Sequence, residues 1–244
     1  MIRFQNIKFS RNGREILKNI SFTIQSSETV AVLGGSGEGK TTLLRLILRL
    51  LRPDSGRIFI EGEDITDLSE EKLTSVRKKF SIVFQDGALF DSLTVRENVA
   101  FYFREFTKFN EEQIEGKVKE LLGFVGVEEA IDLMPEELSG GMQRRVAIAR
   151  ALATQESRMF LYDEPTSDLD PMSATKICNL IKKLDGKERG FIVVTHEIFD
   201  ALRLANRFLF LKDGLILFDG TKEQLLSTEI PDLRLFLGDW REMH

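Results

Sequence analysis

Several features are scarce or missing in this 244-residue sequence, and each absence narrows the class of protein. The single cysteine, Cys178, has no partner for an internal disulfide, which indicates a reducing compartment. The 34 basic residues do not outnumber the 39 acidic ones, and the net charge of −5 argues against a nucleic-acid-binding protein. No stretch approaches the roughly 18 uncharged apolar residues of a membrane span, and the first residues do not resemble a signal peptide. We therefore expect a cytoplasmic protein that reaches a membrane only through a partner.

The composition that remains is ordinary for a globular protein, with 42% hydrophobic and 30% charged residues. Alternation of apolar and polar residues on both sides of Asn12-Gly13 predicts an antiparallel pair of strands at the start, over 2–9 and 16–24. Short apolar runs predict further strands at 29–33, 57–60, 80–84, 159–162 and 191–195.

Helical patterns separate these strands. Residues 43–51 predict a helix that ends at Pro53, and about 90–155 predict a helical subdomain. Asp213-Gly214 predicts a hairpin between strands at 207–212 and 215–218. The order predicts an α/β fold with a parallel core, an N-terminal antiparallel β subdomain and an inserted α-helical subdomain.

A glycine-rich segment between a predicted strand and a predicted helix is the first sign of chemistry. It matches the pattern G-x-x-x-x-G-K-[ST], in which glycines aim backbone N–H groups at phosphate oxygens. Lys40 supplies a cation for the β- and γ-phosphates, and Thr41 supplies a hydroxyl for Mg²⁺. The candidate nucleotide-binding residues are Gly34, Gly35, Ser36, Gly37, Glu38, Gly39, Lys40, Thr41 and Thr42.

A second candidate segment ends the predicted strand at 159–162 with two adjacent carboxylates, Asp163 and Glu164. Ligands bind at the carboxyl ends of strands in open α/β sheets. Asp163 is then placed to hold Mg²⁺, and Glu164 to polarise the water that attacks the γ-phosphate. A helix cap or a solvated turn is the alternative for such a pair, but the preceding phosphate loop favours the chemical role.

A third segment, Ser139, Gly140 and Gly141, opens a predicted helix. These residues are either an N-cap with a turn or a second anion site at a helix N-terminus. One nucleotide seldom needs two phosphate sites in one chain. Two copies in a twofold, head-to-tail dimer would use both, because residues 34–42 of one copy would face residues 138–142 of the other.

Together these segments resemble the Walker A, signature and Walker B motifs of ATP-binding cassette (ABC) ATPases, which have a RecA-like P-loop NTPase core. The resemblance continues through Gln85, the loop 167–170 and His196, in the family's order, over about residues 2–220. It implies that Gln85 contacts Mg²⁺ and reports to a partner, that Asp170 acts across the dimer interface, and that His196 binds the γ-phosphate. An ATP- and Mg²⁺-dependent ATPase is expected, with Lys40, Gln85, Glu164 and His196 as its catalytic residues.

Two positions depart from the family pattern. Arg11 replaces the aromatic residue that usually stacks on adenine; a guanidinium can stack on a purine, and Phe9 lies nearby. Met142 stands where glutamine is commoner. Since Ser139 and backbone N–H groups form the phosphate site, Met142 is expected to cost little activity.

A narrower resemblance points to the ATPases of phospholipid or toluene-tolerance transport systems linked to MCE-domain proteins. It rests on the segments 84–99, 133–135 and 231–238. It implies an integral-membrane permease and an MCE lipid-binding protein as partners, at the inner face of the cytoplasmic membrane. An ATPase of another importer and one of iron–sulfur assembly are the alternatives.

Two surfaces are expected to make contacts beyond the monomer. The ATPase domain is expected over 1–225, followed by a short tail over 226–244 that either clasps the dimer or packs on its own domain. The apolar residues 87–90 and 93–95, just after Gln85, either contact the permease or pack beneath the helical subdomain.

Overall fold

The computed structural model describes residues 1–184 and 189–238. Its β-strands are β1 (Ile2–Arg11), β2 (Arg14–Ile24), β3 (Thr29–Leu33), β4 (Ser55–Ile60), β5 (Glu63–Asp64), β6 (Phe80–Val83), β7 (Met159–Asp163), β8 (Gly190–Thr195), β9 (Arg207–Lys212) and β10 (Leu215–Thr221). Its α-helices are α1 (Lys40–Ile47), α2 (Glu70–Arg77), α3 (Val95–Phe106), α4 (Glu111–Val125), α5 (Gly140–Leu152), α6 (Pro171–Leu184), α7 (Ile198–Leu204), α8 (Lys222–Leu226) and α9 (Pro231–Leu237).

The strands form two sheets. The smaller sheet, in the order β2-β1-β4-β5, is antiparallel, and the rings of Phe4 and Phe22 stack 4.6 Å apart across its first pair. The larger sheet, in the order β10-β9-β3-β8-β7-β6, is parallel from β9 to β6, with β10 antiparallel at one edge. The predicted antiparallel start and parallel core are both confirmed.

The central strands of the larger sheet are buried on both faces, as expected for parallel strands. Every residue of β3, β7 and β8 is buried. Phe160 and Tyr162 of β7 belong to the hydrophobic cluster that contains the buried residues of α3, α4 and α5, whereas Met159 and Leu161 belong to the cluster of α1 and the small sheet. The parallel pairing of β3 with β8 and of β8 with β7 brings the carboxyl ends of these strands to one edge.

The inserted subdomain contains α3, α4 and α5, which lie between β6 and β7 in the chain. Two of these helices begin with a capping box, formed by Thr94 with Glu97 and by Asn110 with Gln113. Arg96 of α3 forms ion pairs with Glu115 and Asp132. Local capping therefore starts the helices, and charge pairs join them.

The helix predicted over 43–51 has wrong boundaries. It begins at Lys40, directly after the glycine-rich loop, and ends at Ile47 rather than near Pro53. Arg49 ends it by adopting a left-handed conformation with φ of 51°. Its guanidinium donates to the carbonyl of Ile65 (3.0 Å), and its own carbonyl accepts from Arg77 (3.1 Å). These tertiary contacts hold the turn.

The helix α9 packs on its own domain. Leu233 and Leu237 are buried, and the ring of Phe236 lies 5.2 Å from that of Phe210, while Leu235 is 83% exposed. Residues 239–244 of the predicted tail lie outside the described residues. Over 1–184 and 189–238, the helices are too short or too polar to cross a bilayer.

Candidate functional site

The glycine-rich loop over residues 34–39 connects β3 to α1 and has the shape of a phosphate cradle. Gly39 has φ of 103°, and a Cβ there would lie 2.9 Å from Ile16. A Cβ on Gly34 would lie 2.4 Å from the carbonyl oxygen of Leu211. Glycine is therefore required at both ends of the loop, which delivers its amides to the N-terminus of α1.

Lys40 lies at the centre of this cradle. Its Nζ donates to the carbonyl oxygens of Gly34 and Gly35, both at 2.9 Å, and lies 3.1 Å from Oε1 of Glu164. The Lys40 and Glu164 side chains are only 6% and 8% exposed. The ammonium is thus held by two carbonyls and one carboxylate, all in a region with little solvent.

Thr41 and Asp163 meet beside the loop. Thr41 donates from Oγ1 to Oδ1 of Asp163 at 2.8 Å, and burial raises the pKa of Asp163 above its usual value despite this bond. The described residues contain no group of three or more His, Cys, Asp and Glu that could hold a metal ion. Mg²⁺ fits this pair nonetheless, since it usually takes one or two protein ligands together with phosphate oxygens and water.

Glu164 is held in an unusual backbone conformation, with φ of 45°. Its amide donates to the carbonyl of Val194 (2.9 Å), and Nδ1 of His196 lies 3.0 Å from its Oε2. Burial by itself raises the pKa of Glu164, but the His196 contact and the Lys40 ammonium outweigh it, and the pKa lies below its usual value. A left-handed non-glycine residue whose carboxylate lies between Lys40 and His196 is typical of a functional site.

The remaining predicted residues lie on separate loops. Gln85 is exposed just after β6. Ser139 caps α5, where its Oγ accepts from the amide of Met142 (3.3 Å). Oδ1 of Asp170 accepts from the amides of Met172 (3.0 Å) and Ser173 (3.1 Å) at the start of α6. Within one chain, the side chains of Ser139 and Asp170 therefore cap helices.

The side chain of Glu38 points away from the cradle. It binds Nζ of Lys212 (3.0 Å) and the amide of Asp213 (2.6 Å), and so ties the glycine-rich loop to the β9–β10 hairpin. A cavity of about 320 Å³ adjoins Gly37 and Glu38 and is also lined by Arg14 and Ile16.

Arg11, the residue predicted to stack on adenine, is exposed at the end of β1, opposite Arg14. Sequence reasoning missed Arg14, although its position just after the Asn12-Gly13 turn places it across from Arg11. It also missed the arginines of α5 that donate to loop carbonyls, for which the pair Arg144-Arg145 is a weak signal.

Comparisons with known proteins identify the family. Residues 17–167 match the family model described as ABC transporter. The chain belongs to the ABC transporter family. It is the ATP-hydrolysing cassette of that family, as the order of its motifs implied.

The relatives of this cassette include several phospholipid transport proteins. It is 40% identical to the intermembrane phospholipid transport system ATP-binding protein MlaF of Haemophilus influenzae, over 96% of this chain and 88% of that protein. Its identity to MlaF of Escherichia coli K12 is 38%, over 97% and 88%. A methionine import ATP-binding protein MetN of Bacillus thuringiensis is 36% identical, over 90% of this chain and 66% of that protein.

Solved structures give the same fold. A dimeric ATP-binding cassette in a post-hydrolysis state, bound to ADP and Pi, has a TM-score of 0.83 and 34% identity, and covers 91% of this chain and 98% of its own. The cassette therefore has the P-loop NTPase fold expected from its sequence and binds ATP, as its family does.

Proposed function

We propose that this cassette hydrolyses ATP as a homodimer beneath a membrane permease and thereby powers the transport of phospholipid. The observation that carries the proposal is its 38–40% identity to MlaF along nearly its whole length. The methionine import relatives support the ATPase activity, but the cassette covers only 66% of their length and is less similar to them.

The glycine-rich loop and Lys40 bind the phosphates in this proposal. The amides of residues 34–42 surround the β- and γ-phosphates, and Lys40 exchanges its carbonyl and Glu164 partners for phosphate oxygens. Arg14 lines the cavity beside Gly37, and Arg11 lies opposite Arg14 in the β1–β2 pair. An adenosine whose base stacks on a guanidinium suits this cavity.

Thr41, Asp163 and Gln85 would hold Mg²⁺. When bound, this ion neutralises charge on the β- and γ-phosphates. The hydroxyl of Thr41 and the carboxylate of Asp163 are already 2.8 Å apart, and both belong to the oxygen ligands that Mg²⁺ prefers.

Glu164 acts on the attacking water. Its lowered pKa keeps it ionised at neutral pH, so that it can accept a hydrogen bond from water and orient it toward the γ-phosphate. Nδ1 of His196 lies beside Oε2 of Glu164, a carboxylate oxygen that only accepts, so the ring donates to Glu164 in the nucleotide-free structure. When ATP binds, His196 turns this donor from Glu164 to the γ-phosphate.

The partner copy completes each site. Ser139, Gly140 and Gly141 open α5 on an exposed surface, where a helix N-terminus attracts a γ-phosphate. Asp170 lies on the loop before α6 and acts across the interface. A twofold, head-to-tail arrangement then forms two equal sites, and α9 clasps the partner through the exposed Leu235.

The permease docks in a groove of about 510 Å³ beside Gln85. The groove is lined by Asp86, Ala88, Leu89, Asp91, Pro135, Glu136 and Gln143. Of the apolar residues expected to contact a partner here, Val95 is fully buried and Leu89 packs partly against the core, whereas Phe90 is 43% exposed. Phe90 and the polar residues of the groove are therefore the main proposed contact, with Leu89 only at the groove wall. An MCE-domain lipid-binding protein would bind the permease. This places the cassette at the inner face of the cytoplasmic membrane.

Reconstitution with a candidate ABC permease tests this function. Proteoliposomes that carry both proteins should move a fluorescent phospholipid when ATP and Mg²⁺ are supplied, and Glu164→Gln should stop the movement. Stimulation of ATP hydrolysis by methionine, with no response to phospholipid, would assign the cassette to an amino-acid importer instead.

A further inference from the structure

Arg144 is a buried cation in the second turn of α5, only 7% exposed. Its Nη1 donates to the carbonyl oxygen of Phe84 at 2.8 Å. Its Nε, which is also buried, has no hydrogen-bond partner within the described part of the chain. An unmade hydrogen bond on a buried charged group is costly, and a native protein retains such a group when another state or role requires it.

Three carboxylates act on this guanidinium, one after β6 and two at or just after the end of β7. Burial lowers the pKa of Arg144, and Asp86, Asp168 and Asp163 oppose that shift in this order. Asp163 ends β7 within the ATPase site, and Asp86 directly follows Gln85. Asp168 is exposed on the loop after Glu164 and has φ of 61°, the left-handed region.

The hydrogen bond to Phe84 lets Arg144 influence the position of Gln85. Phe84 immediately precedes Gln85, so Arg144 fixes one end of the loop that presents it. Arg150, two turns further along α5, fixes the other end by donating to the carbonyls of Gly87 (3.1 Å) and Ala88 (2.7 Å). The helix that begins at the Ser139 cap therefore holds the loop of Gln85 at both ends.

We propose that Arg144 is a positioning residue for ATP hydrolysis, which joins α5 to the Gln85 loop and binds the carboxylate of Asp168 through its free Nε–H when two copies close on ATP. Asp168 suits this role because its carboxylate is exposed in the single chain and attracts Arg144. When the start of α5 engages a phosphate, Arg144 moves with it, and the new bond fixes the loop between Glu164 and Asp170. The inference rests on the proposed closure of two copies around ATP.

A double-mutant cycle tests this coupling. Arg144→Met keeps the apolar stem but removes the charge and the donors. We expect it to lower kcat about 10- to 100-fold, the effect of losing one charged hydrogen bond, and to change KM for ATP less than about 2-fold. Asp168→Asn should lower kcat in the same direction, and the double variant should be no slower than Arg144→Met. Arg144→Lys retains the charge and should recover part of the loss.

Arg150→Met is the matched control, since it removes the other arginine that holds the same loop. In the double variant, the fold-decreases in kcat caused by Arg150→Met and by Asp168→Asn should multiply, as they do for independent sites. The proposal is overturned if Arg144→Met retains the wild-type kcat. It is also overturned if the fold-decreases in kcat caused by Arg144→Met and Asp168→Asn multiply in the double variant. If Arg144→Met fails to fold, the cycle is run with Arg144→Lys and judged by the same rule.

Gel filtration of Glu164→Gln with ATP and Mg²⁺ separates this proposal from the proposed composite site. If ATP-dependent dimerisation of Glu164→Gln is absent in gel filtration, the composite site is wrong. The kinetic cycle still reports whether Arg144 and Asp168 are coupled.

Discussion

Replacing Glu164 by glutamine should lower the stability of the nucleotide-free protein. In that state Oε1 of Glu164 lies 3.1 Å from Nζ of Lys40, and Oε2 lies 3.0 Å from Nδ1 of His196, with the carboxylate almost fully buried. The amide of Glu164→Gln preserves the shape but removes the charge that stabilises the ammonium.

The size of the loss follows from what Lys40 retains. Its two bonds to Gly34 and Gly35 remain, so the ammonium is not left without acceptors. The change then costs about 1.5–3 kcal/mol, the range for a hydrogen bond to a charged group. For a domain of this size, that corresponds to a decrease in Tm of roughly 3–12 °C.

ATP should offset this loss of stability. Lys40 then binds phosphate instead of Glu164, and a carboxylate near the γ-phosphate repels it. Addition of ATP and Mg²⁺ should therefore raise the Tm of Glu164→Gln more than that of the wild type. Thermal melting followed by circular dichroism, with EDTA or with ATP and Mg²⁺, measures both effects.

The pH dependence has a defined sign. The pKa of Glu164 is lowered on folding, so its stabilising contribution is complete above the unfolded value of about 4.3 and is lost as the pH falls through the lowered pKa. The Tm difference between wild type and Glu164→Gln should thus be constant near neutral pH and disappear in acid.

Asp163→Asn is the matched control, because the neighbouring carboxylate has the opposite shift. Burial raises the pKa of Asp163, so its charge costs stability at neutral pH, and the asparagine should raise the nucleotide-free Tm. Should Glu164→Gln melt at or above the wild-type temperature without nucleotide, the resting ion pair does not stabilise the fold and this reasoning is wrong.

Three further predictions concern surfaces beyond the resting site. Ser139→Arg should block hydrolysis but leave ATP binding to the monomer intact, whereas Ser139→Asn, which preserves the cap, should not lower the Tm; hydrolysis by Ser139→Arg at the wild-type rate would argue against the composite site. Asp91→Lys should abolish co-purification with the permease without changing the basal ATPase rate, whereas Glu129→Lys, elsewhere on the helical subdomain, should change neither. Leu235→Arg should weaken the ATP-dependent dimer in gel filtration at an unchanged monomer Tm; an unchanged dimer would leave α9 as a packing helix only.

Patterns of burial and backbone conformation were predictable from the sequence. The short apolar runs predicted the central strands within one or two residues, because those strands are buried on both faces and few polar residues fit them. The glycine-rich loop was predictable for a similar reason: Gly34 and Gly39 meet neighbours that leave no room for a Cβ. Such constraints are local, so the residue types at these positions reveal them.

Contacts that depend on distant segments were not predictable. The early end of α1 depends on Ile65 and Arg77, which lie 16 and 28 residues beyond Arg49. The bond from Arg144 to Phe84 spans 60 residues, and an arginine on a helix is usually solvated. Nothing local distinguishes Arg144 from its neighbour Arg145, so only the packed structure assigns them to different partners.

The two interpretations of Ser139 that the sequence left open are compatible. As a cap, its Oγ accepts a hydrogen bond from the amide of Met142. A serine hydroxyl also carries one O–H donor, which capping does not use. That donor remains available to a phosphate of the partner copy, while the cap fixes the oxygen at the N-terminus of α5. Asp170 likewise caps a helix, because its Oδ1 accepts from the amides of Met172 and Ser173. Capping in the monomer therefore preorganises both residues for the composite site that we propose.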